Sequence, residues 1–245
     1  MVSEVVGVDG CRSGWCAVTL RIRGRTVIGS CMHVVRSFEQ VLSISAGAKA
    51  IAVDIPVGLP SSDSYPRACD KDARDLLQKR ACTVFPCPPR NVVLACAGIE
   101  YKEACALAKS KMGKGISRQT HCILPKIKEV DACIEPSFQD KVIEVHPEVC
   151  FWAINGRRTM CYPKKGKKGQ GFEERRVLLG HAISSRVVTD LLQSFPRRGA
   201  HRDDILDSLV AAYTAKRYAD GEFERIPKTP ITDRRGLRME MIFPS

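Results

Sequence analysis

Long apolar runs are missing from this sequence. No stretch of its 245 residues approaches the roughly 20 consecutive apolar residues that a membrane-spanning helix needs. The first residues also lack the order of basic, apolar and small side chains that marks a signal peptide. We therefore expect a cytoplasmic protein that does not span a membrane.

Cysteine motifs of the metal-binding kind are also missing. Twelve cysteines are present, but none belongs to a C-x-x-C motif or to a short cysteine–histidine group with the spacing of a metal site. They are spread from Cys11 to Cys161, and several, such as Cys96 and Cys105, lie among alanines. A reduced thiol in such surroundings packs as a small hydrophobic side chain. We expect most of these thiols to be buried and reduced, rather than to form disulfides or a zinc site.

Acidic and aromatic residues are scarce compared with basic ones. Lysine and arginine number 39 against 27 acids, the net charge is +12, and aromatic residues make up 6% of the chain. A positive protein favours a polyanionic partner. The segment 149–172 contains no acid, and we predict that its cations contact a phosphate backbone, although a solvated loop without a partner stays open. These cations are Arg157, Arg158, Lys164, Lys165, Lys167 and Lys168.

The segment Val5 to Trp15, V-V-G-V-D-G-C-R-S-G-W, predicts a buried strand that ends in a glycine turn. Two further strand-like runs follow, Trp15 to Ile22 and Thr26 to Val35, so the chain is predicted to open with an antiparallel meander. Asp9 lies at the tip of the first strand. Its carboxylate either binds a cation or caps its own turn.

A second aspartate ends the next buried strand. Ser37 to Ser45 has the apolar spacing of a short helix, and Ala50 to Ile55, A-I-A-V-D-I, reads as a strand that carries Asp54. A strand, a helical crossover and a parallel strand bring both carboxyl ends to one edge of a sheet. We therefore expect Asp54 to lie beside Asp9.

Residues 61 to 140 predict a helical insertion ahead of another buried strand, Val142 to Val145. Glu144 lies within that strand, where an unpaired carboxylate would be costly. We predict that Glu144 either faces the active-site cleft or pairs with a basic side chain. Residues 1–245 are interpreted as one α/β domain with this insertion.

Two helices are predicted in the C-terminal part, from Phe172 to Phe195 and from Arg202 to Tyr218. In the second helix, Asp204 and Asp207 are three residues apart, so both can point at one ion. Their place in the first turns also suits the helix dipole, which is the structural alternative. The residues from Pro227 onward predict an irregular tail.

Several motifs together carry a family resemblance. The motifs are V-G-V-D-G-C-R-S-G-W, A-V-D-I-P-V-G-L-P, R-A-C-D-K-D-A-R, V-F-P, I-E-V-H-P-E-V-C-F-W and D-D-I-L-D-S-L-V-A-A. In this order, from residue 5 to about 220, they resemble a widespread family described as predicted RNase H-like nucleases. The resemblance implies an α/β fold with a mixed five-stranded sheet flanked by helices and a large helical insertion between strands 4 and 5.

The D-G-C-R-S-G of the first strand and the D-I-L-D-S-L of the late helix also resemble the RuvC type of Holliday-junction nuclease. That resemblance implies metal-binding acids at Asp9, Asp54, Asp204 and Asp207. RuvC-like enzymes carry glutamate at the strand-4 position, where this chain has an aspartate. Glu144 is therefore the alternative source of the second strand-borne ligand.

The predicted function is hydrolysis of nucleic-acid phosphodiester bonds by a metal-dependent nuclease. Carboxylates are hard oxygen ligands, which suit one or two Mg²⁺ or Mn²⁺ ions. The predicted catalytic residues are Asp9, Asp54, Glu144, Asp204 and Asp207.

Two other classes of protein remain as alternatives, an actin-like ATP-dependent kinase and a non-catalytic nucleic-acid-binding protein. The chain has no G-G pair for a glycine-rich adenosine loop and no D-x-G motif that opens a second hairpin, which argues against the kinase. The choice among DNA, RNA and a small nucleotide is left open, as is a homodimer.

Overall fold

The computed structural model describes residues 1–164, 169–194 and 199–245, and a five-stranded sheet forms its centre. The strands are β1 (Val2–Cys11), β2 (Gly14–Arg23), β3 (Thr26–Val35), β4 (Ile51–Val53) and β5 (Val142–Glu144). Their order is β3-β2-β1-β4-β5, with β2 antiparallel to β1 and β3, and β4 parallel to β1 and β5. The predicted meander and the predicted mixed five-stranded α/β sheet are confirmed.

Helix α1 (Phe38–Ile44) makes the crossover from β3 to β4. Its start is fixed by a reciprocal cap in which the Ser37 hydroxyl accepts the Gln40 N–H at 3.3 Å and the Gln40 side chain accepts the Ser37 N–H at 3.4 Å. This arrangement satisfies backbone groups that a helix start otherwise leaves unpaired. The crossover lets β4 run parallel to β1, as the sequence predicted.

The segment between β4 and β5 is helical, as predicted for residues 61 to 140. It contains α2 (Ala68–Leu77), α3 (Arg90–Cys96), α4 (Tyr101–Met112) and α5 (Arg118–Cys133), with 3₁₀ turns at Ser62–Ser64, Gln78–Thr83 and Pro136–Phe138. Pro125 lies inside α5 without ending it. The prolines of the V-F-P-C-P-P run instead separate the second 3₁₀ turn from α3, because proline cannot continue a helix interior.

The helices after β5 are α6 (Pro147–Ile154), α7 (Gln170–Leu179), α8 (Ser185–Gln193) and α9 (Arg202–Ala219). The single helix predicted from Phe172 to Phe195 is interrupted, because a π-helical segment, Gly180–Ser184, joins α7 to α8. Phe195 itself lies outside the described residues. The predicted late helix agrees with α9 to within one residue at its C-terminal end.

The predicted irregular tail is wrong, since the chain ends in a hairpin of β6 (Phe223–Thr232) and β7 (Arg238–Pro244). Pro227 and Pro230 argued against a strand because proline cannot donate to a ladder. Both prolines fall where the pairing is irregular, between Ile226 and Ile231. The ladder therefore continues on either side of them.

Two apolar cores cover the two faces of the central sheet. Successive side chains of a strand point to opposite faces, so Val5 belongs to one core and Val6 to the other. The first core includes α6 and α9, and the second includes α1, α3 and α5. At Gly7 a Cβ atom would lie 2.0 Å from the Ser208 carbonyl oxygen, so α9 packs directly on the β1 backbone.

All twelve cysteines are free thiols, and six of them are buried, including Cys96 but not Cys105.

Within the described ranges, no helix combines the length and the apolar character that crossing a membrane requires.

Candidate metal centre

Two aspartates meet at the carboxyl edge of the parallel strands. Val8 of β1 pairs with Val53 of β4, and the Asp54 N–H donates to the Val8 carbonyl at 2.9 Å. Asp9 and Asp54 each follow one residue later, so their side chains share one face of the sheet. This is the placement that the sequence predicted for them.

Helix α9 brings two more aspartates to the same face. Its close approach at Gly7 and a hydrogen bond from the Ser208 hydroxyl to the Cys16 carbonyl, 3.0 Å long, fix it against β1 and β2. Asp204 also lies in the first turn of α9, where its carboxylate accepts the His201 N–H at 2.7 Å. One carboxylate oxygen of Asp207 is buried and has no hydrogen-bond partner among the described residues.

The negative charges of these four carboxylates repel one another. Burial raises the pKa of Asp9 well above 3.8, and the charges of Asp54 and Asp207 raise it further. Burial and the charge of Asp207 raise the pKa of Asp54 to about 8. Burial also raises the pKa values of Asp204 and Asp207. We call Asp9, Asp54, Asp204 and Asp207 the aspartate cluster, and its electrostatics favour a cation.

Lys164 points into the aspartate cluster. Its ammonium group donates to Asp207 and lies close enough to Asp54 for their charges to interact. Burial alone would lower the pKa of Lys164, but the charges of Asp207 and Glu148 more than offset this effect and raise it. In this conformation Lys164 compensates acidic charge, whereas the sequence had suggested a phosphate contact for it.

Glu144 lies on the opposite face of the sheet from the aspartate cluster. It pairs in register with Val53, the residue before Asp54, so alternation turns it away. Its carboxylate accepts two hydrogen bonds from the Arg67 guanidinium, at 2.7 and 2.8 Å, and one from the Val57 N–H at 2.6 Å. Burial nevertheless raises the pKa of Glu144 to about 7. Both placements predicted for Glu144 are therefore present, since it pairs with a base and also lines the cavity that Asp9 and Asp54 line.

Arg67 links Glu144 to Asp70 in a buried network. Asp70 accepts from Arg67 at 2.6 Å, whereas Arg74, one helical turn further on, donates to backbone carbonyls. Donor atoms of Cys69, Asp70 and Glu144 lie within 4.8 Å of one another, a spacing compatible with a divalent ion. Because Arg67 already neutralises both carboxylates, the aspartate cluster is the better candidate centre.

The sequence analysis missed the role of Glu148, in the first turn of α6. Arg175 binds its carboxylate through three hydrogen bonds of 2.6 to 3.0 Å. Burial raises the pKa of Glu148, but Lys164 and Arg175 lower it below its usual value. The charge of Glu148 also raises the pKa of Asp54. An acid directly after a strand end, as in H-P-E, was the signal available.

His146 is half-buried near Glu148. One ring nitrogen lies 3.3 Å from the Thr83 carbonyl, and Nδ1 has no partner among the described residues. Burial and the charge of Lys164 lower the pKa of His146 to about 4. The imidazole is therefore neutral at physiological pH.

The predicted phosphate-binding cations do not form one group in the described part of the chain. Arg157 pairs with Glu224 and lies over the Trp152 ring at 5.6 Å, while Arg158 is exposed. Lys165, Lys167 and Lys168 lie outside the described residues.

A cavity of about 380 Å³ opens beside the aspartate cluster. Asp9, Asp54 and Glu144 line it, together with residues of the helical insertion. The candidate metal centre is therefore accessible from a confined space.

Residues 7–232 match a protein family described as "Protein of unknown function (DUF429)". A comparison with curated proteins gave no match. A solved structure described as "Thermus thermophilus RuvC structure" is similar over 90% of this chain and 97% of that chain, with 13% sequence identity and a TM-score of 0.34. A likeness this weak carries no weight for activity.

Proposed function

This chain belongs to the DUF429 family, and we propose that it is a divalent-metal-dependent nuclease that hydrolyses phosphodiester bonds of a nucleic acid. One observation supports this above all: two strand ends and one helix bring four aspartates to a single face of the sheet. The mutual repulsion of their charges would destabilise the protein unless a proton or a cation offset it.

The residues fit Mg²⁺ or Mn²⁺. Every ligand on offer is a carboxylate oxygen, which these hard cations prefer. Asp207 has a buried oxygen without a hydrogen-bond partner among the described residues, and Lys164 already places a positive charge against the same carboxylate. We propose that Asp9 and Asp54 are the strand-borne ligands and that Asp204 and Asp207 complete the site.

A divalent cation in this site supplies Lewis-acid stabilisation of the charge that develops on a phosphoryl group. Asp9 and Asp54 are rigidly placed because Asp9 lies within β1, paired with Cys16, and Asp54 directly follows β4. Lys164 stays protonated and can offset further negative charge at the phosphate. Arg175 holds Glu148 in place. The negative charge of Glu148 therefore acts on the aspartate cluster without Glu148 having to bind the cation itself.

Glu144 is proposed to act by position, since Arg67 occupies its carboxylate. It anchors the backbone N–H of Val57, just after the Asp54 turn, and so fixes the path of that turn. The strand-borne second ligand is accordingly assigned to Asp54.

The test is replacement of Asp9 by asparagine, which keeps the shape of the side chain but removes its charge. The purified variant should neither bind Mn²⁺ in a titration followed by electron paramagnetic resonance nor cleave labelled DNA and RNA, while its circular dichroism stays that of the parent. Asp75→Asn is the matched control, since Asp75 is exposed on α2. Parental cleavage by Asp9→Asn, or no Mn²⁺ binding by the parent at millimolar concentration, refutes the proposal.

The same preparations separate the alternatives. A kinase would bind ATP tightly and transfer its terminal phosphate. A non-catalytic module would bind nucleic acid equally well with Asp9 or with asparagine at this position and would need no metal.

A further inference from the structure

We propose that the cavity beside the aspartate cluster binds one unpaired nucleotide, with its base against Phe85 and its phosphate towards Asp9 and Asp54. This inference rests on the proposed nuclease function and specifies the substrate. Its volume of about 380 Å³ lies at the small end of the range of roughly 300 to 1,000 Å³ that is typical of small-molecule sites. That space suits a single nucleotide and excludes a duplex.

The wall of the cavity that faces β1 is held firmly. A Cβ atom at Gly10 would lie 2.6 Å from the Lys126 side chain, so this side chain from α5 lies against the backbone directly after Asp9. The Lys126 ammonium donates to the Gly14 carbonyl and lies 4.4 Å from the centre of the Trp15 ring. These contacts tie the insertion to the sheet beside Asp9.

Phe85 supplies a surface for a base. The ring lines the cavity and is half-buried. It belongs to neither apolar core, and within the described residues it does not pack against another aromatic ring. Unpaired bases bind proteins by stacking on such rings. Ile55 and Ile123 also line the cavity and add apolar surface.

The backbone on both sides of Phe85 is anchored. The Val84 carbonyl accepts a hydrogen bond from Arg74 at 2.8 Å, and the Cys87 N–H donates to Asp70 at 2.9 Å. Asp70 in turn belongs to the buried Arg67 network. The loop is therefore pre-organised, so little freedom is lost when a ligand binds.

Charges of both signs line the cavity. Arg67 neutralises Glu144 and Asp70, whereas Asp9 and Asp54 need a cation before they can approach a phosphate. Arg12 lines the same cavity, is exposed, and makes no ion pair with any described residue. It can therefore meet a phosphate at the entrance. Phe85 is therefore suited to the base, Arg12 to the phosphate, and the carboxylates of Asp9 and Asp54 to the metal ion.

The experiment compares four ligands of the full chain in the presence of Mn²⁺, by calorimetric titration. They are thymidine monophosphate, deoxyribose 5-phosphate without a base, a single-stranded oligonucleotide and the blunt duplex of the same sequence. If one base stacks on Phe85, thymidine monophosphate should bind at least about 10-fold tighter than the base-free sugar phosphate. The free nucleotide and the oligonucleotide distinguish a mononucleotide site from a strand site, and the duplex should bind least well.

Phe85→Ala should weaken the binding of thymidine monophosphate by roughly 5- to 100-fold. The affinities for deoxyribose 5-phosphate and for Mn²⁺ should stay unchanged. Phe85→Leu, which keeps apolar volume but removes the ring, should show the same selective loss if the alanine variant folds poorly. Phe138→Ala is the control, because Phe138 is exposed outside the cavity. Its affinities should equal those of the parent.

Equal binding of the nucleotide and the base-free sugar phosphate, or parental nucleotide affinity in both Phe85 variants, overturns the inference. Tighter binding of the duplex than of the single strand overturns it as well. If Phe85 variants cleave with parental preference while Asp9→Asn is inactive, only the nucleotide pocket is wrong. If the nucleotide binds through Phe85 but no substrate is cleaved, only the nuclease assignment is wrong.

Discussion

The replacement Asp54→Asn tests whether the aspartate cluster stores unfavourable charge that a metal ion relieves. Burial and the charge of Asp207 raise the pKa of Asp54 from 3.8 to about 8. The folded protein therefore keeps this proton over a pH range in which the unfolded chain has lost it. Asparagine has a similar shape and does not titrate.

The sign of the effect follows from linkage. Because the folded pKa is the higher one, the stabilising contribution is fully present below about pH 4 and is lost as the pH rises through about 8. One pKa unit corresponds to about 1.4 kcal/mol, so complete ionisation lowers the free energy of unfolding by on the order of 5 kcal/mol. The carboxylates of the cluster share this change, since they titrate together.

Urea unfolding in EDTA between pH 5 and 8.5 measures this contribution. The parent should lose stability across the range, while Asp54→Asn should lose less and be the more stable protein at pH 8.5. Mg²⁺ at 100 times its Kd should restore about 2.7 kcal/mol to the parent, or roughly 5 to 11 °C in Tm, and much less to the variant. Identical pH slopes for parent and variant, with Asp75→Asn as control, would refute the reasoning.

Two further predictions concern basic side chains. Lys164→Met removes the ammonium group that compensates the cluster, so the metal-free variant should be less stable than the metal-free parent at pH 8. The number of Mn²⁺ ions bound, counted by electron paramagnetic resonance, should not decrease, and fewer bound ions would contradict this prediction. Replacement of Lys165, Lys167 and Lys168 by alanine should weaken nucleic-acid binding and reduce the slope of log K against log salt by up to about 3 units, and an unchanged slope would remove this segment from the interface.

Local sequence patterns were enough to predict which strands and which helix carry the four aspartates. Buried β-branched runs ending in Asp9 and Asp54, with a short helix between them, determine a parallel strand pair and hence neighbouring carboxylates. The three-residue spacing of Asp204 and Asp207 determined their common helix face. These features depend on periodicity and on connection handedness, both of which are encoded in short segments.

The roles of Glu144 and Lys164 depend on contacts between distant residues. A strand residue alternates between two faces, and only the register with β4 shows that Glu144 lies on the face of Val53. Its partner Arg67 is 77 positions away in the chain, and the partner of Lys164 is 43 positions away. Charge composition alone could not distinguish a lysine that faces solvent from one that enters an acidic cluster.

The close contact between α9 and β1 makes one prediction that joins fold to site. At Gly7 a Cβ atom would lie 2.0 Å from both the Ser208 carbonyl oxygen and the Ala212 nitrogen, which are backbone atoms and cannot rotate away. Gly7→Ala must therefore push α9 off the sheet, at a cost of about 1 to 3 kcal/mol. Because Asp207 precedes Ser208, this shift also moves Asp207 away from Asp9.

Gly7→Ala should accordingly weaken Mn²⁺ binding by roughly 10- to 100-fold, the range seen when residues that position metal ligands are changed, although no carboxylate is altered. Gly47→Ala is the matched control, because its Cβ would meet no atom within 4 Å. Both variants are measured by Mn²⁺ titration below the temperature at which either unfolds. Parental affinity in Gly7→Ala would mean that the aspartates of α9 are not held against Asp9 by this contact, and the helix would then have to be positioned by the packing of its apolar face alone.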